Sequence, residues 1–395
     1  MNLPLPDDFP RAIPTSVILE DALSTIRRIL NMEVAFVGEF IDDQRFFRAV
    51  DCAPGFTPIE AGDSGPLQES FCQRVVDGRL PELIPDANAN AEARSLEATT
   101  ALPVGAHISV PIRFPAEGRV FGTFCCFSRR ADPTLNKRDL NTMRLFADFL
   151  GQFLERREAD NLDRKAHRQT LQTVIDTGNF RTVFQPIHDL RAGRIAGFEA
   201  LTRFPASLGH APDIVFAEAA TVGLAEALED CTLRAALARL GDLPDDAYLS
   251  LNSSPLCVLD GSVEAALADA PLERLVLEVT EHSSIQEYSA IAEALAPLRE
   301  RGMRVAVDDA GAGYASFRHI LKLQPDYIKL DRSLTRRVDA DYNLRALAAA
   351  LITFANETGS CIIAEGVEEE SERAALAGLG IDLMQGYLFG RPGPL

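Results

Sequence analysis

No apolar run in this chain reaches the roughly 18 residues of a membrane span, and the amino end, "MNLPLPDDFPRAIP", has neither the basic start nor the apolar core of a signal peptide. Both absences lead to the expectation of a cytoplasmic protein. Basic residues are in short supply: 39 Lys and Arg stand against 58 Asp and Glu, a net charge of −19 with a pI near 4.8. That balance argues against a nucleic-acid polymer or an anionic membrane surface as the main partner. A small anionic substrate stays compatible with it, because bound metals and local Arg or Lys can reverse the field inside one pocket. The seven cysteines are an odd number, with no CxxC and no metal-ligand grouping, so they read as small buried apolar residues of a reducing compartment.

The 395 residues are enough for two or three domains, and 47% hydrophobic with 25% charged residues is ordinary for globular chains. What stands out is a series of carboxylates and amides at the ends of predicted strands. They are Glu199 in "GFEALTRF", Asn252 in "YLSLNSSP", Glu278 and Glu281 in "LVLEVTEH", Asp308 and Asp309 in "VAVDDAGAGYASF", Lys329 in "YIKLDRS", Glu365 and Glu368 in "IIAEGVEE", and Gln385 in "LMQGYLF". Most follow a short β-branched apolar run, the pattern of a buried parallel strand, and helix-like segments separate them. Strand ends alternating with helices suit a β/α barrel, whose site forms at the C-terminal strand ends. The acids are therefore expected to converge, and acids gathered in one pocket persist only if cations neutralise them or some are protonated. An oxygen-rich set without Cys or His suits hard divalent ions such as Mg²⁺ or Mn²⁺. Adjacent Asp308 and Asp309 could serve two metals, and a two-metal site suits in-line attack of water on a phosphodiester.

Residues 172–395 closely resemble the EAL domain family, phosphodiesterases that linearise cyclic di-GMP, and the quoted motifs include the eponymous Glu199-Ala200-Leu201. The resemblance implies a modified (β/α)8 TIM-type barrel with its first strand antiparallel, "RTVFQPIHDL" pairing with "IAGFEALTRF" through a turn at Gly193. It implies that Glu199, Asn252, Glu278, Asp308, Asp309 and Glu365 hold two Mg²⁺ or Mn²⁺ ions. Catalysis would fall to Lys329, which holds or deprotonates the attacking water with a lowered proton affinity, together with Glu365, Asp309 and Glu199. Gln185, Leu201, Arg203 and Gln385 would bind substrate, and Glu281 and Glu368 would anchor loops. The implied product is linear pGpG. The sequence departs from the common pattern at Ala310, where a Phe is usual, and at Ala312, where a Thr is frequent. A catalytically silent cyclic di-GMP receptor is the alternative, although such members usually lose a ligand acid or the lysine. An adaptor using the barrel only as scaffold gives no reason for so many acids. No GGDEF-type sequence is present, so cyclase activity is not expected.

Residues 1–155 read as an α+β module: a helix over "SVILEDALSTIRRIL" starting near Ser16, strands "VAFVGEFI" and "FFRAVD", a helical "LQESFCQRVVDG", a hairpin "HISVPIRF"/"RVFGTFCCFS" turning at Gly118, and a long closing helix from "NKRDL". Order and phrases such as "GAHISVPIRFPAEGRVFGTFCCFS" resemble GAF domains, which implies a sensor that takes an unidentified small molecule and regulates the domain after it. Cys72 could be an attachment point or redox sensor, but a core cysteine is the simpler reading. Cys125 and Cys126, adjacent on a strand, point to opposite faces. The closing helix reads as packed from Met143 to Leu154 and solvated beyond, and residues 156–171 read as a helical connector. It is either a dimer-pairing helix or a plain spacer; both family resemblances imply a homodimer.

Overall fold

A computed structural model describes residues 14–279, 288–310 and 320–395, without the side chains of 309 and 310. It divides into two compact units, Met1–Asp163 and Arg164–Leu395. Among the described residues, no helix is long and apolar enough to cross a membrane.

The first unit is built on an antiparallel six-stranded sheet in the order β3-β2-β1-β6-β5-β4: β1 (Val34–Ile41), β2 (Gln44–Cys52), β3 (Ser64–Pro66), β4 (Leu83–Ile84), β5 (Ala106–Arg113) and β6 (Val120–Ser128). Alternation along each strand supplies two apolar faces. Ile108, Val110, Ile112, Phe124 and Cys126 pack against the helices Thr15–Ile29 and Lys137–Thr177, while Val34, Phe36, Phe47, Cys125 and Phe127 pack with Phe71, Cys72 and Val75. Cys125 and Cys126 thus belong to opposite faces, as strand parity requires. The first helix buries Leu19, Ala22, Leu23 and Ile26 at spacings of three and four. Two details differ from the sequence reading. The helix opens at Thr15 behind Pro14, with no side-chain cap from Ser16, and Val17 is exposed because it lies off the buried stripe. The β5–β6 connection turns at Gly118 with φ +69°, a left-handed conformation that favours glycine.

The helix Lys137–Thr177 is continuous over 41 residues. Met143, Ala147, Leu150, Phe153 and Leu154 bury in the first unit's core; residues 161–170 are exposed; Leu171 and Val174 then bury with Val215, Ala219 and Leu228 of the second unit. In that second stretch Arg164 donates to the Thr221 carbonyl at 3.0 Å and Arg168 to that of Val222, placing cations at the C-terminal end of the helix Pro212–Thr221.

The second unit is a closed eight-stranded barrel: β7 (Arg181–Asp189), β8 (Arg194–Arg203), β9 (Tyr248–Ser253), β10 (Leu275–Val279), β11 (Arg304–Ala310), β12 (Tyr327–Leu330), β13 (Cys361–Ala364) and β14 (Leu383–Gln385). Strand β7 is antiparallel to both neighbours, β8 and β14, and every other pairing is parallel. The β7–β8 hairpin turns at Gly193 with φ +65°. Outward residues such as Leu249, Leu251, Leu275, Leu277, Val305 and Ile328 form the core beneath the surrounding helices. The inward residues Ile187, Ala196, Tyr248, Val276, Ala306, Tyr327 and Ile363 fill the barrel in one apolar layer. Tyr248 and Tyr327 stack there at 5.7 Å, with Arg304 donating to the Tyr327 hydroxyl at 2.6 Å. That layer leaves no room at Gly197, where a Cβ would lie 2.5 Å from the Tyr248 ring.

Candidate active site

The site follows from strand parity. Two residues beyond an inward apolar residue, the next side chain faces inward again, one layer nearer the strand's C-terminal end. From Val276 this step reaches Glu278; from Ala306, Asp308; from Tyr327, Lys329; from Ile363, Glu365. On β9, Tyr248 leads through Ser250 to Asn252. Registration then aligns the layer, pairing Glu278 with Asn252 on β9 and Gln185 with Glu199 across the hairpin.

Lys329 stands at the centre, 1% exposed. Its Nζ lies 2.5 Å from Glu278 Oε2, 2.6 Å from Glu365 Oε1, and 3.5 Å from both Glu199 Oε1 and Asp308 Oδ1. Around this cross, Ser250 Oγ donates to Glu278 Oε1 at 2.5 Å and Asn252 Nδ2 to Glu199 Oε1 at 3.1 Å. Gln385 Nε2 donates to Glu199 Oε2 at 2.5 Å and to Gln185 Oε1 at 3.0 Å, and Gln185 Nε2 donates to the Gly390 carbonyl at 3.1 Å. All eight strands of the barrel therefore contribute, at or just beyond their ends, to one connected polar network.

Four carboxylates face one ammonium, a formal charge of −3 if all are ionised. Burial pushes the Glu278 carboxyl up to about 8, with Lys329 opposing and Glu199 and Asp308 adding to the rise. Burial likewise raises Glu365 well above the carboxylate range, against the pull of Lys329. For Lys329 itself, burial acts downward, but Asp308, Glu199, Glu278 and Glu365 outweigh it and raise its proton affinity well above the ordinary value. In the field of these acids alone the direction is opposite to the lowering expected for a lysine beside metals. That expectation placed cations beside the amine, whereas the field in this structure comes from acids.

Among the described residues, no group of three or more His, Cys, Asp or Glu is arranged to hold a metal ion; the oxygens gather on Lys329 instead. The donor chemistry still fits a hard divalent cation. All four acids offer carboxylate oxygen, the cluster carries excess negative charge, and Gln385 Oε1 is a buried acceptor with no partner among the described residues.

The remaining predicted residues divide. Leu201 and Arg203 lie near the end of β8, both partly exposed, and Arg203 Nη1 donates to the Thr202 carbonyl at 2.9 Å. Among the described residues no carboxylate pairs with it. Asn252 faces the site and does no capping; Ser254 caps the helix Pro255–Leu259. Glu368 pairs with Arg332 at 2.7 Å and is partly exposed. Glu281, Ala312 and the glycines Gly311 and Gly313 lie outside the described residues, as do the side chains of Asp309 and Ala310.

Residues 168–392 match the EAL domain family model, and residues 13–155 that of the GAF domain. The chain belongs to the EAL domain family. Cyclic di-GMP phosphodiesterase PA2567 of Pseudomonas aeruginosa is 34% identical over 232 residues, 56% of this chain and 40% of that protein. Cyclic di-GMP phosphodiesterase NbdA of the same organism is 33% identical over 239 residues, 58% of this chain and 30% of the relative. The uncharacterized protein y4lL of Sinorhizobium fredii is 32% identical over 251 residues, 62% of this chain and 30% of the relative. The chain thus spans 40% or less of the length of these relatives. Among solved structures, the PaMucR phosphodiesterase in complex with c-di-GMP matches at TM-score 0.52 and 27% identity, covering 58% of this chain and 98% of that one. The EAL enzyme Bd1971, bound to cAMP and cyclic-di-GMP, matches at TM-score 0.56 over 92% of this chain and 91% of that chain, at 18% identity; this speaks for the fold alone.

Two supports of the EAL site escaped the sequence reading. Ser250 is fully buried against Glu278, and the parity that places Asn252 inward would have placed Ser250 there too. Glu229 is buried on the helix Ala225–Leu237 and accepts from Ser253 Oγ at 3.0 Å and from the Ser254 amide at 2.9 Å, fixing the turn after Asn252. A single glutamate inside a helix carries no motif that could have marked it.

Proposed function

We propose that the EAL barrel hydrolyses cyclic di-GMP to linear pGpG, under the control of the GAF unit. The observation that carries this reading is the convergence of Glu199, Asn252, Glu278, Asp308 and Glu365 on Lys329 at the C-terminal mouth of an EAL barrel. Relatives named as cyclic di-GMP phosphodiesterases support the substrate.

Glu199, Asn252, Glu278, Asp308, Asp309 and Glu365 are the residues that would hold two divalent cations, Mg²⁺ or Mn²⁺. The chemistry such ions supply when bound is neutralisation of phosphate charge and activation of water at neutral pH. Lys329, an ammonium with three N–H donors at the centre of these acids, holds the attacking water beside them. Glu365, ion-paired with the same ammonium, receives the proton that the water gives up. Attack in line on one phosphorus breaks the bond to the 3′-oxygen, leaving a linear dinucleotide. Gln385, tied to Glu199 and Gln185, orients water or phosphate. Arg203 binds a non-bridging phosphate pair through its fork of donors, and Gln185 and Leu201 complete the substrate wall. Glu281 and Glu368 support the adjoining loops.

The proposed working form is a homodimer, consistent with Leu162 exposed on the long helix, and the GAF unit takes a small molecule not identified here. Purified chain with cyclic di-GMP, with and without Mg²⁺, should yield pGpG on chromatography only with the ion. Glu199→Ala should abolish turnover; retained hydrolysis in that variant would overturn the assignment. Intact substrate bound tightly by the native chain would instead make it a receptor.

A further inference from the structure

The GAF unit contains a pair of thiols that the proposed hydrolysis does not use. Cys72, on the helix Phe71–Val76, and Cys125, on β6, are both fully buried, with their sulfurs 3.6 Å apart. They are 53 residues apart in sequence, so the sheet and its covering helix bring them together.

Their surroundings are polar for so deep a position. Ser109 Oγ lies 3.0 Å from Cys125 Sγ, Cys125 Sγ contacts Thr123 Oγ1 at 3.2 Å, and Arg45 Nη1 reaches Cys72 Sγ at 3.6 Å. Arg45 is itself partly exposed, so the dithiol lies one side chain below solvent. A guanidinium beside one sulfur and hydroxyls beside the other divide the labour of a redox pair: the first is set up as thiolate, the second as thiol. The hydrogen bond from Cys125 and the Arg45 charge pull Cys72 down against the effect of burial, and burial pushes Cys125 up.

We propose that Cys72 and Cys125 form a reversible disulfide when the chain meets a peroxide. Cys72 ionises, its thiolate attacks one peroxide oxygen, the O–O bond breaks, and Cys72 becomes a sulfenic acid as the other oxygen leaves as hydroxide, which takes up the proton the thiol gave away and becomes water. The Cys125 thiol then attacks the sulfenic sulfur; the S–O bond breaks, a second water leaves, and the S–S bond forms. Two thiols have given two electrons to one peroxide. Closing the gap to the roughly 2.05 Å of a disulfide requires the two sulfurs to approach by about 1.5 Å. Transient bonds of this kind are the form disulfides take in reducing compartments. Cys126, on the opposite face of β6, is excluded from the pair.

Full-length protein, reduced and then treated with hydrogen peroxide, is mapped by mass spectrometry without reduction. The expected result is loss of two hydrogens per chain, a crosslinked peptide joining Cys72 to Cys125, and recovery of both thiols with dithiothreitol. Cys126→Ser should leave the crosslink intact, and Cys72→Ser or Cys125→Ser should remove it. Native protein that gains only oxygen atoms, links other cysteines, or keeps both thiols would overturn the proposal, whatever the folding of the variants. The readout is covalent, so it stands apart from any failure of the hydrolase reading.

Discussion

The two units bury polar groups in opposite ways. In the GAF unit the sheet interior is apolar apart from a few neutral groups, His107, Ser109 and Thr123, set among thiols. The EAL barrel instead buries Glu199, Glu278 and Lys329 with Gln185 and Gln385 in one layer directly above an apolar one. A buried ion cluster is a poor route to stability, since desolvation commonly exceeds the Coulombic gain and apolar side chains of similar volume would serve as well or better. The barrel's fold is therefore carried by its outer core and inner apolar layer. The acids are kept for what they can do to a ligand.

The sharpest way to break this contrast is to remove the single cation from the barrel. Lys329→Met leaves four acids without their counter-charge, a loss of about 3–5 kcal/mol for an uncompensated buried cluster, and turnover of cyclic di-GMP should fall below detection. The deficit should shrink when Mg²⁺ is added, which chemical denaturation of variant and parent with and without the ion would measure. Equal stability of the two proteins in ion-free buffer would show that the acids are protonated and need no partner.

Much of this contrast was legible before any coordinates. Short β-branched runs ending in acids gave the barrel and its C-terminal mouth, because period-two alternation fixes which side chains share an interior. The antiparallel β7 came from the resemblance and the turn at Gly193, since a hairpin and a parallel pair look alike in apolar pattern. Individual contacts were less legible. Lys329 was expected to lose proton affinity, and its direction depends on the balance of charges across four other strands, which no local window contains. Glu229 was invisible for the same reason: its partners, Ser253 and Ser254, lie on another element. Likewise nothing in the sequence brings Cys72 to Cys125, although parity did separate Cys125 from Cys126.

A smaller effect tests the apolar layer beneath the acids. At Gly197 a new methyl would stand 2.5 Å from the Tyr248 ring, which is held by stacking on Tyr327 and by the Arg304 side chain 4.8 Å from its centre. Gly197→Ala should destabilise the barrel by roughly 1–3 kcal/mol, the usual range for overpacking. If the layer only fills space, turnover per folded molecule should be retained. A fall in turnover without loss of stability would mean that the tyrosine pair also sets the position of the acids above it.

An effect that vanishes at neutral pH lies in the GAF unit, where one neutral group titrates in place of a charged cluster. His107 is 2% exposed, packs 4.6 Å from the Phe71 ring, and has a pKa lowered to about 3, by burial first and then by the charge of Arg45. An unfolded histidine titrates near 6.5, so protons bind the unfolded chain first. Stability from this group is complete above about 6.5 and falls as pH drops towards 3; at pH 5 the loss is about 2 kcal/mol. His107→Gln cannot take up that proton. Compared with the parent by chemical denaturation of the full chain at pH 7 and pH 5, it should lose less stability on acidification by that amount. Parallel losses in the two proteins would show that the imidazole is reached by water, and that the GAF interior is less dry than its packing implies.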